Sequence, residues 1–200
     1  MLIFPVRFSK MKNINYRWCT KSDARLLEEV AELFIRNTGE QYISHGEVID
    51  GRANNMNEWK PDIREIMSEE FSNAMYSDFD CQDTFTRLVI ASSPLASGDG
   101  QGIRKEEEAG AQSSQNTIIA LALIEFRPDT DVTILCDIVV DAQYRGQKIG
   151  ETMLNWIQCE LKNWGAKFMF LESGKNNRSA HDFFERSGFG EVSVVMAKEI

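Results

Sequence analysis

One join constrains this chain more than any other feature. Residues 132–141 (VTILCDIVVD) are almost continuously apolar, which suits a strand buried on both faces. They run through Ala142-Gln143-Tyr144-Arg145-Gly146-Gln147-Lys148-Ile149-Gly150 into a segment where Met153, Leu154, Ile157, Leu161 and Trp164 step at helical spacing. A strand covered on both sides and followed at once by an amphipathic helix requires helices layered on a sheet, so the fold class is α/β. The turn itself carries chemistry. A helix N-terminus aims unpaired backbone N–H groups and the positive end of a dipole at one spot, which makes an anion site. Gly146 and Gly150 let a pyrophosphate approach the backbone, and Arg145 adds charge.

The rest of the chain fits around that join. Residues 14–20 (INYRWCT) have strand-like composition, and Thr20 with Asp23 forms a capping signature. Leu27, Val30, Ala31 and Phe34 then recur at helical spacing and stop before Gly39. Residues 40–60 read as loop and hold Trp59. Pro61 opens a second helix, with Ile63, Ile66, Met67, Phe71 and Ala74 as its apolar stripe. A strand over 84–91 precedes residues 92–116, whose Gly/Ser content and acidic run read as a flexible insertion. The GDGQG within it lacks the flanking elements of a phosphate loop. Strands follow at 118–126 (IIALALIEF) and 167–172 (KFMFLE), then a short helix over 177–186 capped by Asn177. The last residues, EVSVVMAKEI, alternate like a terminal strand.

Composition narrows the partners. At 42% hydrophobic and 26% charged the chain is globular, and its longest apolar runs are under ten residues, so no membrane span is expected. A net charge of −9 without a basic stripe argues against nucleic acid. Residues 21–80 hold 6 bases against 14 acids, a balance of −8 that suits a cationic partner. Four singly placed cysteines (Cys19, Cys81, Cys136, Cys159), with no apolar run at the start to make a secretory signal, point to free thiols in the cytoplasm. Two histidines, His45 and His181, and no HExxH motif leave no expected metal site.

VDAQYRGQKIGETML resembles the cofactor motif of the GNAT superfamily of N-acetyltransferases, whose pattern is Q/R-x-x-G-x-G/A after a strand. NRSAHDFFERSGF (177–189) is similar to that superfamily's N-x-x-A-x-x-F-Y-x-x-x-G-F segment, at the expected separation. Two departures stand out: the central glycine of the turn is Lys148, and the frequent tyrosine is Phe184, which cannot donate a proton. The resemblance covers roughly residues 14–200, read as one N-acetyltransferase domain behind an extension of residues 1–13. It implies a mixed, mostly antiparallel sheet flanked by helices, with acetyl-CoA in a V-shaped splay between two parallel strands.

On that resemblance the pyrophosphate sits on backbone N–H groups of Arg145, Gly146, Gln147, Lys148, Ile149 and Gly150, with Glu151 at the helix start. The pantetheine arm pairs along Ile138, Val139 and Val140, and Asn177 reaches the cofactor from the last helix. The implied reaction moves acetyl directly to an amine, and only a neutral amine is nucleophilic, so a base must take its proton. Asp137, which by period-2 alternation shares a face with Leu135 and Val139, is the first candidate, and Glu125 at the end of the preceding strand is the second. The donor to the leaving thiolate is unassigned, with His181, Tyr144, Tyr76 or water in that place. The expected acceptor is the primary amine of a small cationic molecule, aminoglycoside- or polyamine-like. A protein lysine or N-terminus is the alternative, and a non-catalytic acetyl-CoA-binding domain a third reading. A homodimer is left open.

Overall fold

The computed structural model describes residues 14–77, 83–94 and 116–198. The expected extension at 1–13 lies outside them, as do residues 95–115 of the expected insertion. The flanks of that insertion are shorter than the sequence suggested, because Ser92–Pro94 and Asn116 belong to strands.

Five strands form one sheet: β1 (Asn15–Trp18), β4 (Phe85–Pro94), β5 (Asn116–Arg127), β6 (Val132–Val140) and β7 (Phe168–Leu171), in the order β1-β4-β5-β6-β7. All neighbours are antiparallel except β6 and β7, which are parallel. A two-stranded ribbon, β2 (Ala53–Asn55) with β3 (Glu58–Trp59), lies apart from it.

The alternation of β4 and β5 explains their unbroken apolar sequences. Leu88, Ile90, Leu121 and Leu123 meet α1 (Leu27–Asn37) and α3 (Ile63–Tyr76) through Val30, Leu33, Phe34, Met67 and Phe71. Val89, Ala91, Ile119, Ala122 and Ile124 face the other way, onto Met153, Leu154, Ile157 and Leu161 of α4 (Ile149–Asn163) and Phe184 of α5 (Arg178–Arg186). Both faces are therefore covered, and each fully buried large side chain contributes about 1.5–3 kcal/mol. Among the described residues no helix is long and apolar enough to cross a membrane.

Local signals hold with small shifts. The Thr20/Asp23 capping box forms, and Asp23 also takes a bidentate pair from Arg17 at 2.7 and 2.8 Å. Pro61 stands two residues before α3. Inside the expected loop a short helix, α2 (His45–Ile49), is capped by Ser44 and Glu47. One expectation fails: residues 191–198 form no strand, and Val192, Val194, Val195 and Met196 are exposed, while residues 199 and 200 of that expected strand lie outside the described residues. Alternation supplies a strand's faces but not its hydrogen-bond partners, and no described strand pairs with this segment.

Candidate active site

The cleft arises where two paired strands part. β6 and β7 stay in register from Val132↔Phe168 to Leu135↔Leu171, and there the pairing stops. β6 continues along β5 to Val140, while the chain leaves β7 at Glu172. The parting coincides with a β-bulge. Leu135 lies opposite Ile124 and Asp137 opposite Leu123, so Cys136 is an extra residue in β6. Leu135, Cys136, Ile138, Val139 and Val140 on one side and Leu171, Glu172 and Ser173 on the other line a cleft of about 770 Å³. The bulge also corrects the expected facing of Asp137. Leu135 packs with the α4 cluster, whereas Val139 packs with the α1–α3 cluster, so strict period-2 alternation breaks between them.

At one end of the cleft a braced turn leads into the N-terminus of α4. Asp141 accepts from the Gln143 N–H at 2.9 Å and is ion-paired with Arg36. Asn37 Oδ1 accepts from the Ala142 N–H at 2.8 Å. Arg145 Nε donates to the Val140 carbonyl at 3.0 Å and Nη2 to the Asn37 carbonyl at 3.2 Å, so its guanidinium fastens the turn to the end of α1. Gly146 (φ 73°) and Lys148 (φ 62°, ψ 14°) are both left-handed. Lys148 thus adopts the backbone that the resemblance assigns to glycine. The 15-residue helix α4 has no side-chain cap, so its first N–H groups are left to the cleft.

Arg145, Gly146, Lys148, Ile149, Gly150 and Glu151 all line this end, as does Asn177. Gln147 is not on the wall; its amide donates to the Gln143 carbonyl at 3.4 Å. Asn177 occupies the N-cap position of α5 without making the expected cap, and its Oδ1 accepts from Ser179 Oγ at 3.3 Å instead.

The first candidate proton acceptor lies behind the cleft wall. Asp137 has no side-chain exposure and does not line the cleft. Its Oδ1 accepts from Tyr42 Oη at 2.9 Å and its Oδ2 from Arg52 Nη1 at 3.1 Å, while Arg52 also pairs with Glu70. Burial raises the Asp137 carboxyl above the usual carboxylate range, against the opposing pull of Arg52 and Tyr42. Burial also pushes the Tyr42 phenol well above its ordinary value, with the Asp137 charge adding to it. Tyr42 itself is on the cleft wall, so Asp137 stands one side chain behind it.

The other sequence candidates fall elsewhere. Glu125 is not on the cleft wall and pairs with Arg127. The His181 ring sits 3.0 Å from the Gly174 carbonyl, where it joins α5 to the loop after β7. Tyr144 lines the cleft, whereas Tyr76 is an exposed residue at the end of α3. Trp59 packs on Phe34 and Tyr42 behind the wall.

Sequence reasoning missed Glu172, the residue at the tip of the fork. It lines the cleft, pairs with His45 Nδ1 and accepts from the Gly46 N–H at 3.1 Å. Beside it, Gly174 is pressed against the segment after α1. A Cβ there would come within 2.5 Å of the carbonyl oxygens of both Gln41 and Ile43. The segment 39–46 is thereby strapped against the loop after β7, beside the fork. The one sequence signal was an acid ending the strand KFMFLE.

Comparison with known proteins accords with this geometry. The model of the acetyltransferase (GNAT) family matches residues 61–189. An aminoalkylphosphonate N-acetyltransferase of Salmonella typhimurium is 33% identical over 64 residues, which span 32% of this chain and 42% of that protein. An aminoglycoside acetyltransferase from an uncultured soil metagenomic sample, solved with sisomicin, aligns over 94% of this chain and 95% of its own, with TM-score 0.56 and 14% identity. AAC(6')-Iy in complex with a CoA-linked bisubstrate analogue aligns over 94% and 98%, with TM-score 0.56 and 16% identity. At those identities the two structures share its fold.

Proposed function

We propose that this chain, which belongs to the acetyltransferase (GNAT) family, catalyses transfer of an acetyl group from acetyl-CoA directly to the primary amine of a small cationic molecule. The observation that carries the reading is the placing of two features in one cleft: the parted edges of β6 and β7, and the uncapped N-terminus of α4. The first suits an extended arm that pairs like a strand, and the second suits a pyrophosphate. The left-handed turn at Gly146 and Lys148 provides the concavity that oriented N–H groups make for phosphate oxygens.

Acetyl-CoA, when bound, supplies an activated thioester carbonyl. The chain's own residues do the rest. Backbone along Ile138, Val139 and Val140 holds the arm, while the turn and the first N–H groups of α4 hold the pyrophosphate. Asn177, with no cap to make, faces the same space. The strap over residues 39–46 brings Tyr42 and Gln41 onto the cleft wall.

Three observations favour a small cation over a protein substrate. The strap lines the cleft through Gln41 and Tyr42, and it belongs to the segment whose charge balance is −8. Glu172 lies on that wall, where a carboxylate attracts an ammonium group. The relatives include aminoglycoside and aminoalkylphosphonate N-acetyltransferases. The test is amine-dependent release of CoA thiol across a panel of aminoglycosides, polyamines, aminoalkylphosphonates and lysine peptides. Turnover on small amines with inert peptides is expected. Peptide acetylation with inert small amines would move the reading to a protein acetyltransferase, and acetyl-CoA binding without turnover on any amine would make the domain a sensor.

A further inference from the structure

The buried acid of β6 and the exposed acid after β7 differ in one decisive respect. Both oxygens of Asp137 are taken, Oδ1 by Tyr42 and Oδ2 by Arg52, and its side chain has no exposure. An acceptor amine does not reach it. Glu172 is held through Oε1 alone, by His45 Nδ1 and the Gly46 N–H, and among the described residues Oε2 has no partner. Its side chain keeps 40% of its exposure and stands on the cleft wall next to Leu171, where β6 and β7 part. One oxygen is anchored, and the other has no partner among the described residues.

We propose that Glu172 is the catalytic residue that takes the proton from the acceptor amine, and that His45 is a positioning residue holding it for that task. This rests on the acetyl-transfer reading above. The amine nitrogen forms its bond to the acetyl carbon as the carbon–sulfur bond breaks. The sulfur keeps the bonding pair and leaves as CoA thiolate. Of the ammonium's two surplus protons, the first passes to the free oxygen of Glu172 and frees the nitrogen lone pair for attack, and the second leaves the nitrogen once the N–C bond has formed and passes through solvent to the departing thiolate, which becomes the CoA thiol. The same carboxylate first receives the incoming ammonium group as a counter-charge, which joins recognition and proton removal at one side chain.

The anchoring explains the local construction. Glu172 ends a strand, so its backbone is fixed by the sheet up to Leu171. His45 is the first residue of α2, and Ser44 and Glu47 cap that helix, with Glu47 Oε2 accepting from the Ser44 N–H and hydroxyl. Gly174 clamps Gln41 and Ile43 against the loop that follows Glu172. The side chain is therefore located from both directions, as positioning of a proton acceptor demands. Other titratable groups on the wall at the fork are Tyr42 and Cys136, and burial holds both in their neutral forms.

The experiment compares steady-state kinetics and acetyl-CoA affinity for the wild type, Glu172→Gln, His45→Leu and His45→Asn, using the best amine of the panel. Glu172→Gln keeps the contact with Gly46 and is expected to lose about 10²–10⁴ in kcat, with acetyl-CoA affinity within about twofold of wild type. His45→Leu is expected to lose about tenfold in kcat at unchanged acceptor KM. His45→Asn, whose amide donates from near the position of Nδ1, is expected to restore most of that loss, a rescue that a purely structural role would not give. Wild-type turnover that survives Glu172→Gln within threefold overturns the proposal and leaves the acetyl-transfer reading intact. A wild type that binds acetyl-CoA but releases no CoA on any amine overturns the reading and the proposal together.

Discussion

Replacing Lys148 separates two effects that the structure predicts to have opposite signs. At φ 62° and ψ 14° its backbone is left-handed, a conformation that costs an L-residue about 1–2 kcal/mol and glycine nothing. Glycine returns about 0.5–1 kcal/mol of that through the greater freedom of its unfolded chain. Lys148→Gly is therefore expected to stabilise the ligand-free protein by about 0.5–1 kcal/mol. For a chain of this length that raises Tm by roughly 1–4 °C. The same change removes an ammonium group from the mouth of the phosphate turn, and an exposed charge contact is worth about 0.2–1 kcal/mol. Acetyl-CoA affinity should fall about two- to fivefold at low salt, and less at high salt. Lys148→Ala is the control, because it loses the charge and keeps the Cβ, so its affinity falls alike and its Tm does not rise. Calorimetric melting and titration of the three proteins decide the matter. A Lys148→Gly melt no higher than that of Lys148→Ala would refute the strain argument, and affinity equal to wild type at low salt would refute the phosphate contact.

Three further outcomes follow from the same geometry. Asp137→Asn leaves the buried Arg52 with Glu70 alone, and breaking a buried pair costs about 3–5 kcal/mol, so Tm should drop by roughly 6–20 °C; a change under about 2 °C would remove the buried clamp from the account. Gly174→Ala drives a Cβ to 2.5 Å from two backbone carbonyl oxygens, which should cost about 1–3 kcal/mol and raise acceptor KM by loosening the strap; unchanged melting and KM would show that the segment yields freely. Burial, with the neighbouring charges of Asp137 and Glu125, pushes the Cys136 thiol up to about 12, so only about 10⁻⁴ of it is thiolate at pH 8, rising tenfold per pH unit. Mass mapping after alkylation should find the exposed Cys159 modified well before Cys136, and equal rates at pH 8 would contradict the burial argument.

What the sequence revealed depended on whether the signal was local. The run from β6 through Gly146 into α4 is contiguous, and its periodicity changes from a buried strand to a 3.6-residue helix at the join, so both elements and the turn between them were legible. The continuous apolar stretch of β5 was legible for the same reason, since covering both faces of a strand leaves no polar positions. The bulge at Cys136 was not, because every residue from Val132 to Leu135 is tolerable on either face, and only pairing with β5 shows which one is extra. That bulge is why alternation misplaced Asp137 relative to Leu135. The partnership of His45 with Glu172 joins residues far apart in the chain through the strap, and no spacing rule reports it. The alternating tail misled over its described residues 191–198, because alternation specifies faces and says nothing of an available neighbour.

The central claim is that the fork between β6 and β7, with the N-terminus of α4 at its mouth, receives acetyl-CoA. Thermal denaturation with and without saturating acetyl-CoA tests it most directly. At a hundredfold over its dissociation constant a ligand adds about 2.7 kcal/mol, so Tm should rise by roughly 5–10 °C. An adenine nucleotide that carries the phosphates without the pantetheine arm should give a much smaller rise. No shift with acetyl-CoA, or an equal shift with the nucleotide alone, would contradict the account.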